Sequence, residues 1–258
     1  MTEPQLAVPA PSRGQSTSPV VLITGATGGL GQVLAQAVAR TGSTVVLHGR
    51  IVRKLEALYD ALVADGAHEP AILPLDFATA DSQAYTAAAA ALDQQLGRLD
   101  ALLHCAAVLP RLAPLEHHTL DDWMTALKVN VAAPATLTRA LLPMLRRAPA
   151  AKVIFTLDSR GHEPTAYWGS YAAAKAGVEA LVRVLADEWE NAPNLAVTGV
   201  IPGPFAGPMR RRTHPGADTE SARPPAALVP LYLALLEADA GRYRGQIIDA
   251  QAWLAPTS

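Results

Sequence analysis

Residues 19–31, PVVLITGATGGLG, join an apolar run to a turn that contains four glycines. The apolar run predicts a buried strand, and LGQVLAQAVAR at 30–40 predicts an amphipathic helix directly after it. Gly25 permits the tight turn, Gly29 lets backbone amides approach a pyrophosphate, and Gly31 lets the helix pack on the strand. The partial positive charge of the helix N-terminus favours the same anion. Strand, glycine turn and helix in this order predict a dinucleotide site.

The rest of the chain alternates short apolar strands with helical segments. Strands are predicted near 20–24, 44–48, 71–75, 100–104, 152–157, 196–201 and 246–249. This alternation predicts an α/β protein whose parallel sheet is covered by helices on both faces. Right-handed crossovers favour a single-domain Rossmann fold, a doubly wound parallel seven-stranded sheet of order 3-2-1-4-5-6-7. Residues 19–258 form this NAD(P)-binding domain, and residues 1–18, rich in Pro, Ser and Gln, are predicted to be a disordered tail.

Tyr171 and Lys175 stand four residues apart in WGSYAAAKAG, so a helix places both side chains on one face. A fixed cation near a phenol favours the phenolate, and the lysine is therefore expected to lower the pKa of Tyr171. Such a tyrosine exchanges a proton with a carbonyl or an imine near neutral pH. The pair therefore predicts a tyrosine that acts as the acid catalyst and a lysine that adjusts its pKa.

The glycine turn together with the Tyr–Lys pair resembles the short-chain dehydrogenases/reductases, from about Pro19 to about Trp253. Further matching pieces are Asp76 in LPLDF, Asn130 in LKVNVAAP and the Pro202–Gly203 turn. Within the family the chain looks most like the YciK-type branch of oxidoreductases, because WGSYAAAK, VLADEWE and the closing IIDAQ have counterparts there. The resemblance implies an enzyme that uses a nicotinamide cofactor.

The cofactor choice depends on the residue after the second predicted strand. VVLHGR ends in Arg50, and no acidic residue stands where a ribose 2′-hydroxyl would be held, which favours NADP(H) over NAD(H). The alternative is a solvated arginine at the start of the next helix, and His48 is interpreted as a polar strand end. The resemblance places Asp76 beside the adenine, although an aspartate after a strand is often a helix cap. The full expected cofactor-binding set is Gly25, Thr27, Gly28, Gly29, Leu30, Gly31, Arg50, Asp76, Phe77, Cys105, Ala106, Tyr171, Lys175, Pro202 and Gly203.

The position thirteen residues before Tyr171 departs from the family pattern, since it carries Asp158 in place of the usual serine. An aspartate there resembles the pteridine reductases of the same family, in which a carboxyl group works with the tyrosine in proton donation. An ionised carboxylate beside Tyr171 would raise the pKa of the phenol and oppose Lys175, whereas a neutral Asp158 can itself donate. Two alternatives stay open: Ser159 takes the place of the serine, or Asp158 is a loop residue of an inactive relative.

Four further features bear on the site. Cys105 stands where most relatives carry asparagine and is interpreted as a small packed residue. After the Pro202–Gly203 turn, Phe205 or Gly207 stands in place of a threonine that in relatives often holds the nicotinamide amide. By resemblance Asn130 bends its helix around a water that relays protons to Lys175; the alternative is a core asparagine. The Pro- and Arg-rich segment 207–223 occupies the place of a mobile lid, and its basic character suits an acidic substrate or a merely solvated loop.

These observations lead to one hypothesis and two alternatives. The hypothesis is an NADP-dependent oxidoreductase that transfers hydride to a carbonyl or imine of a small molecule, with Tyr171 as proton donor, Lys175 and Asn130 as its partners, and Asp158 or Ser159 orienting the acceptor. The first alternative is a pteridine or dihydrofolate reductase that uses Asp158 and Tyr171. The second is a catalytically silent NADP-binding protein that acts by interaction.

Composition restricts the partners to small molecules and further copies of the chain. A net charge of −2 and the lack of a basic stripe argue against nucleic acid and anionic membranes. One cysteine rules out an internal disulfide, no apolar run is long enough to span a bilayer, and no metal site is expected. The N-terminal segment lacks the apolar core of a signal peptide, so a cytoplasmic location is predicted. The helix of Tyr171 has apolar residues on more than one face, which, with the resemblance, favours a homodimer or homotetramer.

Overall fold

The computed structural model describes residues 18–216, 222–239 and 241–255. Residues 1–17 of the predicted tail lie outside this range, as do residues 217–221 of the predicted lid. The boundary between tail and domain therefore stays a prediction.

The fold is built on one seven-stranded sheet in the order β3-β2-β1-β4-β5-β6-β7, and every pairing is parallel. The strands are β1 (Val20–Thr24), β2 (Thr44–Gly49), β3 (Ala71–Pro74), β4 (Ala101–His104), β5 (Ala151–Thr156), β6 (Leu195–Ile201) and β7 (Ile247–Asp249). The predicted α/β class, the doubly wound topology and the strand order are confirmed. The chain reverses its direction of travel across the sheet between β1 and β4, and a crevice at the carboxyl ends of these strands is where such sheets bind ligands.

Ten α-helices cover the sheet in the described chain. They are α1 (Gly29–Arg40), α2 (Val52–Ala64), α3 (Ser82–Leu96), α4 (Leu120–Leu127), α5 (Ala133–Arg147), α6 (Ser159–His162), α7 (Gly169–Glu188), α8 (Pro208–Thr213), α9 (Val229–Glu237) and α10 (Ala250–Trp253). A π-helical turn at Lys128–Ala132 joins α4 to α5. None of the helices described is long and apolar enough to cross a membrane.

Two hydrophobic cores form because successive side chains of a strand point to opposite faces of the sheet. Leu22 and Leu102 pack in the core beneath α3, α5 and α7, whereas Ile23 and Leu103 pack beneath α1, α2 and α9. All four side chains are fully buried, and each such burial contributes about 1.5–3 kcal/mol. The continuous apolar runs of the sequence therefore reflect strands that are covered on both sides.

Candidate active site

The glycine turn after β1 is closely packed against the loop that follows β4. Gly25 has φ of +65°, and a Cβ added to it would lie 2.8 Å from Ala106 Cα. A Cβ on Gly31 would lie 2.2 Å from Gly25 O, so α1 starts directly against the turn. Both positions exclude a side chain, in agreement with the roles expected from the sequence.

The N-terminus of α1 presents its first amide groups without a protein partner. Gly28 occupies the N-cap position, and no side chain within the described ranges caps this helix. Gly28 is exposed, Gly29 and Thr27 are half-buried, and Leu30 is anchored in the core. A twelve-residue helix with uncapped amides beside a side-chain-free turn fits a pyrophosphate group.

Two residues that sequence reasoning did not assign to the site support the glycine turn. Thr24 Oγ1 accepts hydrogen bonds from the amides of Cys105 (3.0 Å) and Ala106 (3.1 Å), which fixes the loop after β4 beside the turn. The Gly25 amide donates to His48 Nδ1 at 3.3 Å. His48, interpreted from sequence as a polar strand end, is in fact buried, and this burial lowers its pKa from 6.5 to about 4. In the sequence, Thr24 stands out only as a hydroxyl-bearing residue at the end of an apolar run.

The residues expected near the adenine and ribose lie at the carboxyl ends of β2 and β3. Arg50 is exposed between β2 and α2, and none of the carboxylates described pairs with it. Asp76 Oδ1 accepts from the Ala78 amide at 3.0 Å and so closes a turn. The Phe77 side chain is buried, its ring centroid 4.3 Å from that of His48. Its ring is therefore part of the core, and only the backbone of Phe77 is available to a ligand.

Asp158 and Tyr171 are in direct contact. The Tyr171 hydroxyl donates to Asp158 Oδ2 at 2.9 Å, and the Arg160 amide donates to Asp158 Oδ1 at 2.9 Å, so the carboxylate also caps α6. Ser159 is exposed on α6 and makes no hydrogen bond to Tyr171. Of the two candidates for the place of the serine, the geometry brings Asp158 to the phenol and leaves Ser159 outside.

Burial decides the protonation of the Tyr–Lys pair. The pKa of Tyr171 is raised well above 10, first by burial and then by the charge of Asp158 and its hydrogen bond. Lys175 was expected to lower this pKa, and that expectation is wrong. The pKa is raised instead, which is the direction expected for an ionised Asp158 beside the phenol. Burial also lowers the pKa of Lys175, while Asp158 acts in the other direction. Lys175 Nζ lies 5.7 Å from the centre of the Tyr171 ring.

A small polar cluster lies beneath Lys175. Lys175 Nζ donates to Thr156 O at 2.9 Å, and Thr156 Oγ1 lies 2.9 Å from the Tyr232 hydroxyl and 3.6 Å from Cys105 Sγ. Burial raises the pKa of Cys105 to about 11. The thiol is therefore protonated at neutral pH and behaves as the small packed residue expected from the sequence.

Asn130 lies in the π-helical turn and is buried. Its Oδ1 accepts from the Val108 amide and its Nδ2 donates to Val108 O, both at 2.9 Å. The side chain thus ties the helix to the loop after β4, as a core asparagine would. The distortion of the helix agrees with the bend that the resemblance implied, while the water relay stays a prediction.

The turn after β6 is held by the last helix. Gln251 Nε2 donates to Pro202 O at 2.8 Å, and Gly203, with φ of +67°, faces the same side chain. A Cβ on Gly203 would lie 2.6 Å from Gln251 Cγ. The glycine therefore meets both a conformational and a packing requirement, and Gln251 fixes the predicted Pro202–Gly203 turn.

Helix α8 covers the site from the side of the lid segment. Met209 Sδ lies 3.8 Å from the Tyr171 hydroxyl, and a Cβ on Gly29 would meet Pro208 Cδ at 3.6 Å. Arg212 Nη2 donates to Leu109 O at 3.3 Å, which ties this helix to the loop after β4. The same segment therefore lies against both Tyr171 and the glycine turn.

A doubly wound sheet with a glycine turn after its first strand and a Tyr–Lys pair at its carboxyl edge defines an oxidoreductase of the Rossmann class. No group of three or more potential metal ligands occurs among the residues that the structure describes.

Comparison with known proteins gives the family. A family model for short chain dehydrogenases matches residues 19–218, and the chain belongs to the short-chain dehydrogenase/reductase family. The uncharacterized oxidoreductase YciK of Escherichia coli (strain K12) is 35% identical over 237 residues, covering 92% of this chain and 93% of that protein. Gluconate 5-dehydrogenase of Gluconobacter oxydans is 29% identical over 74% of this chain and 73% of its own. The predicted resemblance to the family and to its YciK-type branch is confirmed.

Solved structures agree with this assignment. A short chain dehydrogenase of Shigella flexneri 2a complexed with NADP has a TM-score of 0.87 at 34% identity, covering 92% of this chain and all of that one. One of Escherichia coli CFT073 complexed with NADPH has a TM-score of 0.87 at 34% identity, with 93% and 100% covered. The similarity thus extends over nearly the whole described fold.

Proposed function

We propose that this chain is an NADPH-dependent reductase that transfers hydride to the carbonyl or imine carbon of a small molecule. The observation that carries the proposal is the 2.9 Å contact between the Tyr171 hydroxyl and Asp158, beside a buried Lys175 at the carboxyl edge of the sheet. One proton donor, one carboxyl group and one cation would thus surround the substrate atom that takes up the proton.

The cofactor proposal is supported by the residues of this chain and by its relatives. The uncapped N-terminus of α1 and the side-chain-free turn at Gly25 fit a pyrophosphate, and exposed Arg50 suits a 2′-phosphate. Two relatives of similar fold are complexed with NADP or NADPH. The bound nicotinamide supplies the hydride; the Pro202–Gly203 turn and the loop at Cys105 and Ala106 border its pocket.

The protonation of Tyr171 suits the role of a proton donor. A phenol whose pKa is raised keeps its proton at neutral pH, so Tyr171 is ready to donate to a developing alkoxide or amide anion. Burial and the charge of Asp158 disfavour the phenolate that is left behind, and the Lys175 ammonium, 5.7 Å from the ring centre, opposes part of this cost.

A second candidate function is supported by the same carboxylate. The Tyr171 hydroxyl donates to Asp158 Oδ2 at 2.9 Å, so a carboxyl group stands beside the phenol, the pairing expected of a reductase of dihydropterins or dihydrofolate. Both functions use the same cofactor site, and they differ in whether Asp158 must be a carboxyl group.

The test measures NADPH and NADH binding by fluorescence, followed by turnover of aldehydes, ketones, quinones and dihydropterins. Wild type, Asp158→Ser and Tyr171→Phe are compared at saturating NADPH. Turnover that is lost in Asp158→Ser supports a working carboxyl group, and a preference for dihydropterins would support the second candidate. NADPH binding without turnover, relieved only by Asp158→Ser, would instead identify a silent cofactor-binding relative. A chain that binds neither dinucleotide would contradict every version of the proposal.

We also propose that the chain forms a homodimer or homotetramer. Leu120, Met124 and Leu127 of α4 and Val184 of α7 are large apolar side chains exposed on two helices that pack together. Light scattering of Met124→Lys compared with wild type tests whether this surface is covered by a second copy. The cytoplasmic location expected from the sequence stays a prediction.

A further inference from the structure

An aromatic side chain packs beside the Tyr171 ring. Trp168 is half-buried, and its ring centroid lies 5.7 Å from that of Tyr171 and 6.4 Å from that of His214. As the N-cap residue of α7 it is positioned by the same helix that carries Tyr171 and Lys175. Trp168 therefore forms a wall beside the Tyr171 ring.

The segment before Trp168 is held in an unfavourable conformation. Tyr167 has φ of 75°, and it is the only non-glycine residue in the described chain with positive φ. Its carbonyl accepts from the Ala113 amide at 3.2 Å, and Gly169 packs beside His118 and Trp123. A left-handed tyrosine costs about 1–3 kcal/mol and persists only where surrounding contacts impose it. The fold thus fixes the direction in which Trp168 points.

A cation lies on this wall without an anionic partner. The guanidinium carbon of Arg160 stands 5.1 Å from the Trp168 ring centroid, and the side chain is half-buried. Across the described ranges no carboxylate lies within ion-pair distance of Arg160, whereas the neighbouring basic residues His162 and Arg183 both face Glu179. A guanidinium stacked on an indole keeps its edge donors for a planar anion.

We propose that Arg160 is a specificity-determining residue that binds an anionic group, a carboxylate or phosphate, on the substrate of this reductase. This inference rests on the proposed function, since it places the anion one aromatic ring away from the Tyr171 proton donor. It also adds α6 to the lid segment as a source of acidic-substrate preference; of the lid arginines, Arg212 already donates to Leu109 O. The acceptor carbon then lies near Tyr171 while the anion is held over Trp168.

The test uses probes that bind without reacting. Calorimetry with 4-methylbenzoate and 4-methylbenzamide, with and without NADP⁺, compares wild type, Arg160→Gln and Arg160→Lys. The matched control is Arg183→Gln, which removes an exposed arginine of α7. We expect wild type to bind the benzoate at least about 10-fold more tightly than the benzamide, a difference typical of charge-assisted pairs. Arg160→Gln should remove this preference, Arg160→Lys should keep part of it, and the control should leave it unchanged.

A kinetic comparison separates this inference from the proposed function. The substrates are 4-carboxybenzaldehyde and its methyl ester, and Arg160→Gln is expected to raise KM for the acid about 10-fold with little change in kcat. Benzoate preference without turnover of either aldehyde would overturn the proposed function and leave the anion site standing. Equal binding of both probes, no binding of the benzoate, or a preference that survives Arg160→Gln would overturn the anion site.

Discussion

A buried phenol beside a carboxylate holds its proton more tightly than a phenol in water, and Tyr171 is in this position. The sequence alone gave the phenol, the ammonium and the carboxylate, but their spacing did not reveal which influence on the pKa prevails. Burial is a property of the folded environment, and here it acts on both members of the Tyr–Lys pair. At the residue scale, burial therefore sets the protonation of the proposed proton donor.

Replacement of Tyr171 by phenylalanine removes the proton donor and keeps the ring. We expect kcat to fall by about 10²–10⁴-fold, the usual contribution of a positioned general acid, while NADPH affinity stays within about twofold. The control is Tyr167→Phe, which removes an exposed hydroxyl four residues earlier. Steady-state kinetics on the best substrate of the panel measure both variants. Full activity of Tyr171→Phe would show that another group donates the proton.

His48 makes stability depend on pH. Its pKa is about 4 in the folded chain and 6.5 in the unfolded one, so the unfolded state binds more protons between these values. Stability is fully present above pH 6.5 and is lost as pH falls towards 4. At pH 5 the loss from this ring is about 2 kcal/mol relative to pH 7.

His48→Asn removes the titrating ring and keeps an acceptor for the Gly25 amide. Urea unfolding at pH 7 and pH 5 should show a smaller loss of stability in the variant than in wild type. His104, buried with a pKa of about 3, titrates in both chains; burial is the main cause of its lowered pKa and His48 only the second, so most of its effect cancels from the comparison. An equal loss in both chains would contradict the assignment of this pH dependence to His48.

At the scale of elements, periodicity predicted the strands well and missed the short helices. The observed strands begin and end within about one residue of their predicted limits, because continuous apolar runs report strands covered on both faces. Helix α8, PMRRRT, has only one large apolar residue and therefore no amphipathic pattern. The π-helical turn depends on Asn130 binding the distant Val108 backbone, and such long-range pairing leaves no local signal.

Gly31→Ala tests the packing of α1 against the turn after β1. The added Cβ would lie 2.2 Å from Gly25 O, a backbone atom that has no room to move aside. We expect a loss of about 2–4 kcal/mol in the free energy of unfolding, together with lost NADPH binding. Gly29→Ala is the control for stability, since its Cβ would meet Pro208 at an ordinary 3.6 Å. Chemical denaturation measures the free energy of unfolding of both variants. Equal values for Gly31→Ala and Gly29→Ala would contradict the packing argument.

At the scale of the whole molecule, the parallel sheet gathers the site from segments far apart in sequence. The glycine turn, Arg50, Asp158 and the Pro202–Gly203 turn all follow the carboxyl ends of strands, as the topology predicted. The supporting contacts of Thr24, His48 and Gln251 could not be predicted, because each joins elements whose proximity exists only after the strands are ordered. Sequence thus located the reacting groups and missed the residues that hold them in place.

Cofactor binding should stabilise the whole chain. At one hundred times its Kd, NADPH is expected to add about 2.7 kcal/mol to the free energy of unfolding, seen as a rise in Tm.

Arg50→Asp should weaken the affinity for NADPH about 10- to 100-fold and leave the affinity for NADH unchanged or higher, because the 2′-phosphate loses its cation and meets a carboxylate. Arg53→Gln, which changes the exposed second residue of α2, is the control. An unchanged NADPH preference in Arg50→Asp would remove Arg50 from the cofactor site.

The contact between Gln251 and Pro202 has a consequence for biosynthesis. All seven strands, the glycine turn and Tyr171 precede α10 in the sequence, so a nascent chain can begin to assemble the sheet while the Pro202–Gly203 turn still lacks its anchor. Chains released before residue 247 by a premature stop should therefore fold in part and bind dinucleotide weakly, which translation of truncated messages would measure. The Pro202–Gly203 turn, and with it the proposed dinucleotide site, is expected to be complete only once α10 has been made.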